Sequence, residues 1–150
     1  MSLVFRVFGI AQPQGSARAF MPKGARFPVV TSDNPHVKSW RHLVAAEASR
    51  ALKGRGVLIE GSVGVSASFF LPRPKALGTK TRPHLTRPDV DKLARSCLDA
   101  LTGVVFRDDS QVVQLSVSKH YAGVGESPRA EIVITDISEG VNDAQVSQRA

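Results

Sequence analysis

The sequence predicts an α+β fold, a single compact domain with a mixed β-sheet of about four strands and two helices. Three observations predict it. Two segments carry apolar residues at helical spacing, four others alternate or run apolar as strands do, and the order strand, helix, strand, helix, strand, strand shows neither an internal repeat nor strict alternation. The chain of 150 residues suits one domain with a sizeable core. We place that domain at residues 1–136 and read 137–150 as a polar, flexible tail.

Leu3 to Ile10 is apolar on both sides, through Val4, Phe5, Val7 and Phe8, and reads as a well-covered strand. A Gly/Pro-punctuated loop from Ala11 to Pro28 follows, carrying Arg18, Lys23 and Arg26 without an acid. From His36 to Lys53, Val37, Trp40, Val44, Ala48, Ala51 and Leu52 recur at helical spacing, with Asn34-Pro35 as the start and Gly54 as the stop. The place of Trp40 in that stripe assigns it to the core rather than to base stacking.

Val57 to Leu71 alternates cleanly, with Val57, Ile59, Val63, Val65, Ala67, Phe69 and Leu71 on one face. Gly61 and Gly64 mark a bend or bulge. Pro72 to Arg87 holds Arg73, Lys75, Lys80, Arg82 and Arg87 and no acid, too irregular to pack, and reads as a mobile flap that orders on a polyanion. Gln111 to Tyr121 alternates again. Gly123 and Gly125 then turn the chain into a last strand, Ala130 to Thr135, as a hairpin.

The net charge of +7 and a pI near 10.2 point to a polyanionic partner, and the lack of a basic amphipathic helix favours nucleic acid over membrane. One cysteine, Cys97, on an apolar helical face, excludes a disulfide framework and suits a reducing cytoplasm. No signal-peptide core or membrane-spanning stretch is visible. His36, His42, His84 and His120 have no partner at metal-ligand spacing, and no Walker-type loop or nucleophile elbow occurs.

Chemistry concentrates between Arg87 and Gln111. Leu93, Ala94, Cys97, Leu98 and Leu101 share one helical face, with Val90 leading in and Gly103 ending the helix. Pro88 keeps the approach extended, so that Asp89 and Asp91 lie together beside the helix N-terminus. Asp108 and Asp109 follow in a turn. A helix of about a dozen residues is roughly 18 Å long, so the return must fold back for Asp109 to reach Asp89. If it does, the all-oxygen cluster suits Mg²⁺ or Mn²⁺ rather than zinc, and such a site can hydrolyse a phosphodiester. On spacing alone, an N-cap and an ordinary turn account for the same residues.

The stretch resembles the RusA family of Holliday junction resolvases. The matching residues are Asp89-Val90-Asp91-Lys92-Leu93, Arg95, Leu98-Asp99-Ala100-Leu101 and Asp108-Asp109-Ser110-Gln111, and Gly9, Pro13, Gly15 and Arg18 look like the family's N-terminal Gly-Pro-Gly-Arg segment. The resemblance implies a RusA-like fold and a crossover junction endodeoxyribonuclease of DNA recombination and repair. It further implies that Asp89, Asp91 and Asp109, with Asp108 adjacent, bind Mg²⁺ (Mn²⁺ substituting), and that the enzyme is a cytoplasmic homodimer, in a bacterial cell or a phage-infected host, acting on four-way or related branched DNA.

Lys92 stands where the family usually has Asn, and Arg95 where it has an essential Lys. Arginine retains the charge that clamps a phosphate but does not give up a proton, so Arg95 suits electrostatic stabilisation and not acid catalysis. Asp99, one turn further on, is placed to orient its guanidinium. Arg18, Lys23, Arg26, Arg73, Lys75, Lys80, Arg82, Arg87 and Lys92 are the expected DNA contacts. The rival function is a catalytically weak or inactive member that only binds branched DNA.

Overall fold

The computed structural model describes residues 1–15, 17–32 and 34–138. In chain order the elements are β1 (Ser2–Phe8), β2 (Ala17–Phe20), β3 (Val29–Ser32), α1 (Val37–Leu52), β4 (Val63–Leu71), α2 (Val90–Leu101), β5 (Val112–Tyr121) and β6 (Arg129–Asp136). One four-stranded sheet has the order β1-β6-β4-β5. In it β6 runs antiparallel to both β1 and β4, while β4 and β5 are parallel. A parallel pair needs a long crossover, and the chain between β4 and β5 supplies it with α2.

Alternation in the strands becomes a one-sided core. Leu3, Phe5 and Val7 of β1, Val63 to Leu71 at every second residue of β4, and Ala130, Ile132 and Ile134 of β6 are buried on the helix-bearing face. Against them pack Trp40, Val44 and Ala48 of α1 and Leu93, Cys97 and Leu101 of α2. Each large side chain buried this way contributes about 1.5–3 kcal/mol. Trp40 is thus core, as its spacing predicts, and burial pushes the Cys97 thiol up to about 12. The opposite face is open, with Val4 and Phe8 exposed on β1.

Helix boundaries follow the local signals. Lys53 adopts a left-handed conformation and ends α1 just before Gly54. Beyond α2, Gly103 takes φ +81° and donates its N–H to the carbonyl of Phe106, a turn that only glycine makes without strain.

Several expectations are corrected. β1 is an edge strand with one bare face, not a strand covered on both sides. The loop after it contains a second, two-stranded sheet of β2 and β3. The strand expected from Val57 starts only at Val63, since residues 57–62 keep an isolated bridge at Ile59 and the ladder shifts register between Val63 and Gly64. The last two strands form no hairpin; β6 inserts between β1 and β4, leaving β5 at the other edge. Gly61 leaves no room for a side chain, because a Cβ there would meet Ser138. Of the expected tail, 137 and 138 dock beside Ser62, and 139–150 lie outside the described residues.

Candidate active site

Asp89 is the N-cap residue of α2, held extended at φ −71° and ψ 140°, and its carbonyl accepts the Leu93 N–H at 3.1 Å. Its carboxylate makes no cap hydrogen bond, and approaches Lys92 at 3.9 Å. Asp91 is exposed in the first helical turn. Both carboxylates therefore sit where the helix dipole favours negative charge while keeping their lone pairs open.

This helix start is braced by contacts distant in sequence. Lys119 of β5 donates to the carbonyls of Thr86 and Pro88 at 2.7 and 2.9 Å. The Gln14 N–H donates to Lys92 O at 2.9 Å, and buried Ser96 donates its hydroxyl to Gln12 O at 2.6 Å. The Arg87–Pro88 peptide is cis.

A groove of about 950 Å³ opens beside Asp89. It is lined by Gln12, Pro13, Gln14 and Gly15 of the N-terminal loop, by Leu71, Pro72, Pro74, His84 and Thr86, and by Arg87, Asp89 and Lys92. Residues 72–87 are more built than an irregular flap. Leu77 and His84 are buried, and Arg73 donates to the carbonyls of Gly78, Lys80 and Ala122, so its guanidinium braces the segment. His84 packs against Tyr121 with ring centroids 4.3 Å apart and the planes tilted by 36°. Burial, then the charge of Lys119, lowers its pKa.

The second acidic pair is placed elsewhere. Asp108 caps a 3-10 turn, Asp109–Gln111, by accepting the Ser110 N–H at 2.8 Å, and that bond lowers its pKa. Gln111 clamps the turn: its Oε1 accepts the N–H groups of Arg107 and Asp108, and its Nε2 donates to Ile59 O and Gly61 O. Asp109 is exposed beside it. The turn feeds the start of β5, whereas Asp89 lies near Lys119 towards the other end of that strand. From Val112 to Lys119 a strand rises roughly 23 Å.

Within one chain, then, the loop after α2 does not fold back to bring Asp109 to Asp89 and Asp91. Among the described residues no three His, Cys, Asp or Glu side chains stand close enough to hold an ion together. The expected Asp99–Arg95 contact is absent too. Asp99 faces Arg41 of α1 at 3.8 Å, while Arg95 is exposed and makes no hydrogen bond or ion pair among the described residues.

The remaining cations flank the groove or lie beyond it. Arg18 is on β2, opposite Thr31, and Lys23 and Arg26 are exposed between β2 and β3. Lys75, Lys80 and Arg82 are exposed along residues 72–87. Sequence reasoning passed over Lys119, yet a signal existed: it falls in phase with Val113, Leu115 and Val117, where a lone cation needs a partner.

The family model described as Endodeoxyribonuclease RusA matches residues 11–135. The chain belongs to the RusA endodeoxyribonuclease family. It is also 31% identical over 144 residues to the uncharacterized protein YqaN of Bacillus subtilis (strain 168), an alignment covering 89% of this chain and 96% of that one. The RusA match spans every element from β2 to β5 and nearly all of β6, so it takes in the groove, the start of α2 and the Asp109 turn together. No helix among the described residues is long and apolar enough to cross a membrane.

Proposed function

We propose that this RusA-family protein is a Mg²⁺-dependent, structure-selective endonuclease that resolves Holliday junctions or related branched DNA by hydrolytic nicking. The observation that supports it most is that Asp89 lines a groove together with the N-terminal loop and the basic segment 72–87. Asp89 and Asp91 offer exposed carboxylate oxygens, a donor set that fits a hard cation. They would hold Mg²⁺ or Mn²⁺ together with Asp109, and Asp108 would position that third carboxylate by capping its turn. A bound ion would supply Lewis-acid activation of water and of the phosphodiester.

The protein's own groups do the rest. Arg87 and Lys92 in that lining draw the DNA backbone towards Asp89. Arg95, one turn beyond Asp91, offsets negative charge on the phosphate without supplying a proton. Because Asp109 lies at the far end of β5, the site is completed in a homodimer. β5 is a free edge of ten residues with Val113 and Leu115 exposed. Two such edges meeting antiparallel about a two-fold axis would set the partner's Asp109 at the end of the strand where Asp89 and Asp91 stand.

Replacing Asp91 with Asn tests the enzyme. Binding to a synthetic four-way junction should persist while Mg²⁺-dependent nicking falls by at least about 10³-fold; retained nicking would end the assignment. The distance between Asp109 and the other two carboxylates favours one second reading, a branched-DNA-binding protein without catalysis. Absence of nicking by the unaltered protein in Mg²⁺ and Mn²⁺ would select it.

A further inference from the structure

We propose that the hairpin of β2 and β3 is a stacking wedge, in which Phe20 and Phe27 near its tip lie against the bases left open where DNA arms meet, while Lys23 and Arg26 hold the neighbouring phosphates. This rests on the branched-DNA reading above and adds to it the means by which a branch is told from plain duplex.

The hairpin packs chiefly on itself. β2 and β3 pair with one another along their length and have little contact with the other elements of the fold. Around the tip, large apolar side chains stand in solvent: Phe27 is 78% exposed and Phe20 50%, with Met21 and Val29 exposed beside them. Phe20 and Val29 are cross-strand partners, so they share one face. Apolar side chains grouped in this way mark an interaction surface. The loop that carries them is preformed. The Ala25 N–H donates to Pro22 O at 3.0 Å, Gly24 takes φ +84° without strain, and Pro22 and Pro28 restrict the backbone on either side.

Charge selects the partner. Lys23 and Arg26 are exposed in that loop, and no acid occurs from residue 11 to residue 32. A second copy of the hairpin would meet it with like charge, whereas DNA offers phosphates outside and flat base faces within. Duplex DNA keeps those faces stacked. At a branch point the stack is interrupted, and an apolar wedge gains base contact there at the least unstacking cost. The position fits as well. Gln14 and Gly15 before β2 and Asn34 after β3 line the groove beside Asp89, so both feet of the hairpin spring from the candidate active site. Those feet are fixed: the Gln14 N–H donates to Lys92 O at 2.9 Å, and the Asn34 amide donates to Pro13 O at 2.8 Å.

The test measures binding without metal. A four-way junction and a linear duplex of the same sequence are titrated in EDTA by fluorescence anisotropy, and 2-aminopurine at the crossover reports unstacking. The unaltered protein should raise 2-aminopurine fluorescence in the junction. Phe27→Ala should abolish that rise and weaken junction binding about tenfold, while duplex affinity and Tm stay as they were, and Phe27→Trp should retain both the rise and the affinity. Phe20→Ala is the second variant. No rise with the unaltered protein, junction affinity unchanged in both alanine variants, or an equal loss on junction and duplex overturns the wedge. So does a loss of self-association in sedimentation with junction affinity retained, which would give the apolar tip to a second copy of the chain. Nicking in Mg²⁺ is scored separately: nicking with junction binding blind to both phenylalanines sinks the wedge alone, and a working wedge without nicking sinks the nuclease alone.

Discussion

Gln111 spends its whole side-chain amide on the backbone, accepting from Arg107 and Asp108 and donating to Ile59 and Gly61. Its presence in the motif was plain in the sequence, but its task was not, because the carbonyls it binds lie some fifty positions earlier. Gln111→Leu leaves those groups to water or unpaired. It should lower stability by about 2 kcal/mol in urea unfolding, and reduce nicking as Asp109 loses its fixed position. An unchanged unfolding midpoint would show that the turn is held by other contacts. Arg73 gives the converse lesson. Read as a DNA contact among other cations, it directs its donors at the carbonyls of Gly78, Lys80 and Ala122, whereas Lys75 and Arg82 remain exposed.

Among the elements, α2 bears most of the candidate chemistry, and the apolar part of its inner face was legible from Leu93, Ala94, Cys97 and Leu101, though buried Ser96 and Ala100 were not. What steadies its outer end was not. Lys119 reaches from β5 to the carbonyls of Thr86 and Pro88, so strand and helix start move as one. Lys119→Met keeps the stem but removes both charge-assisted bonds. Nicking should fall on the order of tenfold or more, since small misplacements of reacting groups are costly, while junction affinity changes little. A loss of affinity matching the loss of rate would instead make Lys119 a phosphate contact. The small sheet of β2 and β3 left no readable trace, because strands of four residues are too short to imprint an alternating burial pattern. The expected hairpin failed for a related reason: Gly123 and Gly125 announce a turn but not which strand the chain joins next.

For the molecule as a whole, the separation of Asp109 from Asp89 and Asp91 makes assembly a catalytic question. A site shared across a two-fold axis has a distinctive signature. Asp91→Asn and Asp109→Asn should each be inactive alone, yet mixing and refolding them together should restore nicking, because the mixed dimer contains one site with all its carboxylates. The expected recovery is roughly a quarter of the unaltered rate, from half the dimers carrying one good site of two. No recovery, in a mixture shown by light scattering to exchange subunits, would place the three carboxylates within one chain or remove Asp109 from the mechanism.

The class of fold, both helices, the buried face of β4 and the acidic motif could be read directly from the chain, since burial period and local capping are imprinted within a few residues of themselves, whereas β1 and β5 each leave bare a face that the sequence read as covered. Strand order, the parallel pairing of β4 with β5, the pairing of Asp99 with Arg41, the groove beside Asp89, and the distance from Asp89 to Asp109 emerged solely on folding. Periodicity reports which side of an element faces inward. It carries no record of which distant element will meet it there, and the proposed chemistry of this protein depends on such meetings.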